Sequence, residues 1–152
     1  MRHMALAWML ISVLSVNAQA VDKVAARAQA EKFVKDAVAL AKVKGKAELF
    51  KETSQATGRF HLKKGSSLYL FIYNQEGVCL AHGSKPVLVG LNRLDSKDPE
   101  GKFYVKEFIQ MVKGKGKGWV DYKYPDPATG KIEPKSTYVE GFEELVVCAG
   151  AY

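Results

Sequence analysis

Residues Leu68 to Tyr73 read Leu-Tyr-Leu-Phe-Ile-Tyr, apolar or aromatic at every position. Successive strand residues point to opposite faces of a sheet, so a run of this kind needs cover on both sides. It predicts the central strand of a layered fold. Asn74-Gln75-Glu76-Gly77 then supplies a short loop ending in glycine, and Val78 to His82 resumes a strand, which together predict a β-hairpin.

Upstream, Ala30, Phe33, Ala37 and Leu40/Ala41 recur at helical spacing, with Lys32, Lys35, Asp36 and Lys42 between them. That pattern predicts an amphipathic helix over Val21 to Lys44, interrupted by Gly45 and followed by a shorter helix from Lys46 to Thr53. Downstream, Gly83 to Gly101 is rich in Gly, Pro, Asn, Asp and Ser and reads as a long connection, of a length that often carries function. Phe103 to Val112 predicts a helix lying on the sheet, ended by the alternating Lys-Gly run from Lys113 to Gly118, where glycine at every second position opposes further helix. The run itself is read as a flexible, solvated turn. Strands are expected from Trp119 to Tyr124, from Lys135 to Glu140 and from Leu145 to Tyr152. Five antiparallel strands with the helices gathered on one side give an α+β fold, a long N-terminal helix packed on the sheet.

The N-terminus has its own signature. Arg2 and His3 precede an apolar run from Met4 to Val16, and Asn17-Ala18-Gln19-Ala20 ends in small residues. This predicts a secretory signal peptide over residues 1–20 with cleavage after Ala20 and a periplasmic or secreted destination, an uncleaved anchor being the alternative. Residues 21–152 are then expected to form one domain, since roughly 130 residues bury one good core but not two. The formal charge of +7 suits acidic partners in general. Nucleic acid is not expected among them, because the lysines are spread along the chain without a binding motif.

Several segments, taken in order, resemble the single Cache type 2 family. They are Gly77-Val78-Cys79-Leu80-Ala81-His82, Gly90-Leu91-Asn92, Asp98-Pro99-Glu100-Gly101-Lys102-Phe103, Gly118-Trp119-Val120-Asp121-Tyr122, Pro134-Lys135-Ser136-Thr137-Tyr138-Val139 and Val146 to Tyr152. The pairing of Gly-Trp-Val-x-Tyr with Pro-Lys-x-x-Tyr-Val carries most of the weight. The resemblance implies a PAS-like extracytoplasmic sensing domain that captures a small ligand, often a short carboxylate, between the sheet and the irregular segment. It also implies service to chemoreceptors and histidine kinases. With no second membrane helix or signalling module after Tyr152, the expectation is a free-standing binder acting on a membrane receptor or histidine kinase in trans, with a homodimer through the N-terminal helix as a further possibility. Asn74 and Cys79 depart from the residues usual in the family at those places.

A small organic anion needs a fixed cation and a few donors in a half-apolar pocket. Lys135, stiffened by Pro134, is the candidate cation. Tyr122 and Tyr138 offer phenolic donors, Trp119 an apolar wall, and His82 and Asn92 further hydrogen bonds. Each also has an ordinary role as a core, rim or solvated residue. An envelope docking protein that has lost its pocket is the competing reading.

No catalytic residue, metal ligand set or cofactor is expected. The sequence has no Gly-x-Ser-x-Gly elbow, phosphate loop or His-Glu-x-x-His, and His3, His61 and His82 lack partners at metal-binding spacing. A Cys79, His82 and Asp121 set is set aside because residues three apart on a strand point to opposite faces. In the strand order 2-1-5-4-3 of a PAS-like sheet, Cys79 and Cys148 flank the central strand, too far apart for a disulfide, so free buried thiols are expected.

Overall fold

The computed structural model describes the backbone of residues 5–152 and the side chains from Ala20 onward. The expected signal peptide over residues 1–20 lies almost wholly outside the residues whose side chains are described. Helix α1 runs from Ala5 to Lys44 and α2 from Lys46 to Ser54. Gly45, at φ 86°, makes the break between them, a conformation that glycine adopts without strain. Strands β1 (Leu70–Asn74) and β2 (Cys79–His82) form the hairpin. A short 3₁₀ turn at Pro86–Leu88 interrupts the long connection, and α3 spans Tyr104–Lys115. Strands β3 (Lys117–Pro125), β4 (Ile132–Phe142) and β5 (Leu145–Ala151) complete an antiparallel sheet in the order β2-β1-β5-β4-β3.

The central strands β1 and β5 are apolar on both faces, and both faces are covered. On one, Ala30, Val34, Ala37, Val38 and Ala41 of α1 pack against Leu70, Ile72, Val147 and Ala149. On the other, Val105, Phe108 and Ile109 of α3 pack against Phe71, Tyr73, Val146 and Cys148. The expectation that the helices gather on one side is corrected here: α1 and α3 lie on opposite faces, because a sheet whose middle strands are apolar twice over cannot leave either face wet.

Helix α3 also runs further than expected, through Gly114 to Lys115. A single glycine inside a helix costs about 1 kcal/mol, which the end of the helix offsets. Gly116 takes φ 76° and returns its N–H to the carbonyl of Val112, and Lys113 and Lys115 sit at the negative end of the dipole. The Lys-Gly run is thus a tight helix-to-strand junction, not a loose turn; Gly118 is already in β3, with Met111 pressed against its backbone.

The β1–β2 hairpin contains a register shift between Ile72 and Tyr73. Phe71 pairs with His82, Ile72 with Ala81 and Tyr73 with Cys79, so Leu80 is the extra residue of a bulge. Simple alternation fails across it, and Cys79 and His82 fall on the same face, contrary to the spacing argument used to separate them. Both thiols are free and buried. Burial raises that of Cys79 to about 11, and Asp121 faces away on the solvated side, so the three do not assemble.

Candidate functional site

The face of the sheet toward α3 carries Tyr69 from just before β1, Phe71 and Tyr73 from β1, His82 from β2, Tyr122 and Tyr124 from β3, and Lys135 from β4. Lys135 pairs in register with Tyr122, at the end of β4 that extends beyond β5, whose ladder with β4 begins at Ser136↔Ala151. From there its stem crosses β5 at Gly150. A β-carbon on Gly150 would collide with Lys135 Cε and stand 2.7 Å from Thr137 Oγ1, so the crossing depends on that glycine.

The ammonium ends among aromatic rings. Lys135 Nζ donates to the Tyr69 hydroxyl at 2.8 Å and stands 4.5 Å from the centre of the Tyr69 ring, 4.8 Å from Tyr152, 5.0 Å from Tyr124 and 5.1 Å from Phe71. The lysine is 2% exposed, and no carboxylate pairs with it among the described residues. Ring quadrupoles and one phenol stabilise a buried cation by a few kcal/mol, much less than water does. Burial accordingly lowers the pKa of Lys135 from 10.5 to about 7; Cys148 opposes the shift, Lys85 adds to it to a smaller extent, and Asp126 opposes it least.

His82 stacks on Tyr69 (5.3 Å between ring centres) and Phe71 (5.6 Å). Its Nδ1 accepts the backbone N–H groups of Ser84 (3.2 Å) and Lys85 (2.9 Å), which assigns the proton of the neutral ring to Nε2. Burial, and then the charges of Lys135, Lys85 and Arg93, hold its pKa down at about 3. Tyr122 stacks on Tyr104 of α3 at 4.7 Å and shares a hydrogen bond of 3.1 Å with Thr137. Between Lys135, His82 and Tyr122 is a cavity of about 10 Å³, room for roughly one water. Outside it, sharing Tyr104 and Tyr124 as a wall, lies an open groove of about 460 Å³ edged by Lys85, Arg93, Lys97 and Lys123.

Of the residues expected at the site, Lys135, Tyr122 and His82 meet. Trp119 and Tyr138 pack against each other at 5.3 Å on the opposite face, where Arg27 of α1 lies 4.0 Å from the Trp119 ring. Each is three residues from a pocket residue on an unbroken strand, Trp119 from Tyr122 and Tyr138 from Lys135, and odd spacing changes the face. Asn92 is exposed in the connection; it donates to the Glu76 carbonyl at 3.0 Å and accepts from the Leu94 N–H at 2.9 Å, holding the loop to the hairpin. Sequence reasoning missed Tyr69, Phe71, Tyr124, Tyr152 and Gly150. Even spacing from Tyr122 was available as a signal for Tyr124, whereas Tyr69 and Tyr152 depend on which strands are neighbours. Among the described residues no group of three or more His, Cys, Asp or Glu side chains is placed to hold a metal ion.

The sequence model of the single Cache domain 2 family matches residues 5–152. The chain belongs to that family. Its Cache fold is shared with a solved periplasmic sensor domain of a chemotaxis protein, at 25% identity and a TM-score of 0.67 over 88% of this chain and 96% of the other. It is shared too with a methyl-accepting chemotaxis protein from Vibrio parahaemolyticus, at 22% identity and a TM-score of 0.71 over 93% of this chain and 96% of the other. A third structure, described as showing carboxylic acid recognition by a Cache chemosensory domain, is 23% identical with a TM-score of 0.64 over 90% and 95%. In sequence, the sensor histidine kinase MctS of Rhizobium johnstonii is 33% identical over 93 residues. That match takes in 60% of this Cache domain's chain and 20% of the kinase, so the chain spans about a fifth of the curated relative. Domains of this family are extracytoplasmic ligand-binding sensors of chemoreceptors and kinases.

Proposed function

We propose that this Cache domain captures a small organic anion, a short carboxylate, on the α3 side of the sheet, with Lys135 as the anchoring cation and Tyr69, Tyr122 and the Nε2–H of His82 as donors. The observation that carries the reading is the buried ammonium with no carboxylate paired to it among the described residues. A cation held out of water by rings and one phenol is poorly compensated, and an incoming carboxylate supplies the missing charge together with charge-assisted hydrogen bonds. The solved relative described for carboxylic acid recognition has the same fold, which supports the choice of ligand class. We place the domain in the periplasm as the sensory, ligand-presenting part of a signalling system, with a leader removed after Ala20 and a membrane receptor or histidine kinase as partner. N-terminal sequencing of the exported protein checks the leader.

A second reading is favoured by the size of the enclosed space. At about 10 Å³ it admits no carboxylate without movement of Lys135 or the surrounding rings, as expected of a docking protein whose pocket has closed. A thermal-shift screen against short mono- and dicarboxylates and amino acids decides between the two. A ligand at about a hundred times its Kd adds about 2.7 kcal/mol to the stability of the native state. A shift confined to carboxylates and lost in Lys135→Met establishes capture. No shift with any compound overturns capture and leaves the docking reading, to be pursued through its partner.

A further inference from the structure

Capture of one carboxylate at Lys135 leaves two neighbouring cations unused. Lys85 Nζ lies 3.5 Å from the Tyr124 hydroxyl and 4.6 Å from the centre of the Tyr124 ring. Arg93 donates from Nη2 to the Tyr104 hydroxyl at 3.4 Å. Its Nε is the only buried side-chain nitrogen or oxygen among the described residues without a hydrogen-bond partner. Neither cation forms an ion pair among the described residues, and the acids nearby are engaged. Asp98 accepts the backbone N–H groups of Glu100 and Lys102 on one oxygen and that of Lys123 on the other. Glu100 pairs with Lys123 at 2.6 Å, and Asp95 with Lys106 at 2.7 Å. Burial and the charge of Arg93 both disfavour the charged form of Lys85, so the two cations repel.

The two lysine ammoniums approach the same ring. Lys135 Nζ is 5.0 Å and Lys85 Nζ 4.6 Å from the same Tyr124 centroid, so they are no further apart than the sum of those distances. Tyr104 and Tyr124 wall both the inner cavity and the outer groove. Lys135, Lys85 and Arg93 therefore share one aromatic wall from the cage to solvent; of the carboxylates beside it, Asp98 is held by backbone N–H groups and Asp126 accepts from the Ser67 hydroxyl and the Ala128 N–H.

We propose that the ligand is a short dicarboxylate, with one carboxylate on Lys135 in the cage and the other on Lys85 and Arg93 in the groove. This rests on the capture reading above and narrows it. A diacid of roughly three or four carbons, with a charge-assisted hydrogen bond of about 2.8 Å at each end, covers the span. The unpartnered Nε gives Arg93 a donor for the outer carboxylate that its bond to Tyr104 does not consume.

Calorimetric titration of the exported protein with malonate, succinate, monomethyl succinate and propionate tests the assignment. The diacids are expected to bind at least about tenfold more tightly than propionate or the monoester, a difference that one charge-assisted contact supplies. Arg93→Gln is expected to weaken diacid binding about tenfold or more and to leave propionate within about twofold. Lys85→Met does the same by an independent route should Arg93→Gln fail to fold, and Lys135→Met weakens both ligand types. Propionate binding as tightly as the diacids, or groove variants that weaken both classes equally, overturns the diacid assignment and leaves capture standing. Binding of no carboxylate of either kind overturns capture and the diacid assignment with it.

Discussion

Raising the pH from about 7.5 to about 9.5 is expected to stabilise the protein, through Lys135. In the unfolded chain the lysine keeps its proton up to its ordinary value of 10.5; in the folded protein burial lowers that to about 7. Between the two the unfolded state binds more protons, so the cost of burying the ammonium is fully present below pH 7 and disappears as the pH rises toward 10.5. At 1.36 kcal/mol for each unit, the whole window amounts to about 5 kcal/mol, and the accessible part to about 2–3 kcal/mol, or roughly 5–10 °C in Tm. The groups facing the ammonium keep their charge state over this range. Tyr69, Tyr124 and Tyr152 are raised above their ordinary values by burial, as is Cys148, and His82, held at about 3, stays neutral. Lys85 and Arg93 sit outside the cage and are common to wild type and variant. Urea unfolding at constant ionic strength, compared between wild type and Lys135→Met, isolates the lysine. A wild-type profile that is flat or falls across the window, or an equal slope in the variant, refutes the buried-ammonium account. The same linkage acts on binding: an anion stabilises the ammonium, so capture takes up a proton above pH 7 and weakens by about tenfold for each further unit.

Gly150→Ala places a β-carbon against Lys135 Cε and is expected to expel the lysine stem from the cage. Carboxylate affinity should fall by about tenfold or more and the alkaline stabilisation should vanish with it, both measurable by calorimetry and urea titration. Trp119→Ala is expected to lower stability by about 1–3 kcal/mol while leaving ligand affinity within twofold, because that ring packs beneath α1 on the face away from Lys135. Phe108→Ala empties the centre of the α3 layer, where its fully buried ring meets Phe71, Tyr73, Tyr104 and Tyr122, and should cost about 3–5 kcal/mol in chemical denaturation. Cys79 and Cys148 should resist a thiol reagent in the native protein and react only at the rate of unfolding, since both are buried and burial raises both thiols.

Much of the fold is legible from the spacing of apolar residues, because that spacing answers to local geometry. The doubly apolar Leu68–Tyr73 stretch announces a central strand, and Ala30, Phe33, Ala37 and Leu40/Ala41 mark one face of a helix; in the structure the strand begins at Leu70 and those helix residues face the core. The exceptions are places where a distant partner overrides a local rule. Gly114 stays helical because Gly116 caps the turn beyond it. Cys79 and His82 share a face because a bulge absorbs Leu80.

For the candidate site, the sequence by itself determined the chemical inventory: a lysine behind a proline, tyrosines at strand spacing, and a histidine at a strand end. Parity along β3 and β4 separates Tyr122 and Lys135 from Trp119 and Tyr138, a signal passed over when all four are read as one site, since alternation is a property of one strand alone. Only the tertiary structure decided that the Lys135 stem crosses β5 over Gly150 to reach Tyr69, just before β1. Only it showed that Tyr124 and Tyr152 close the cage, and that Lys85 and Arg93 stand at its mouth with no ion pair among the described residues. Those contacts join residues up to 66 positions apart. They depend on which strands are neighbours, and strand order is set by the burial of the whole sheet, which no local spacing encodes.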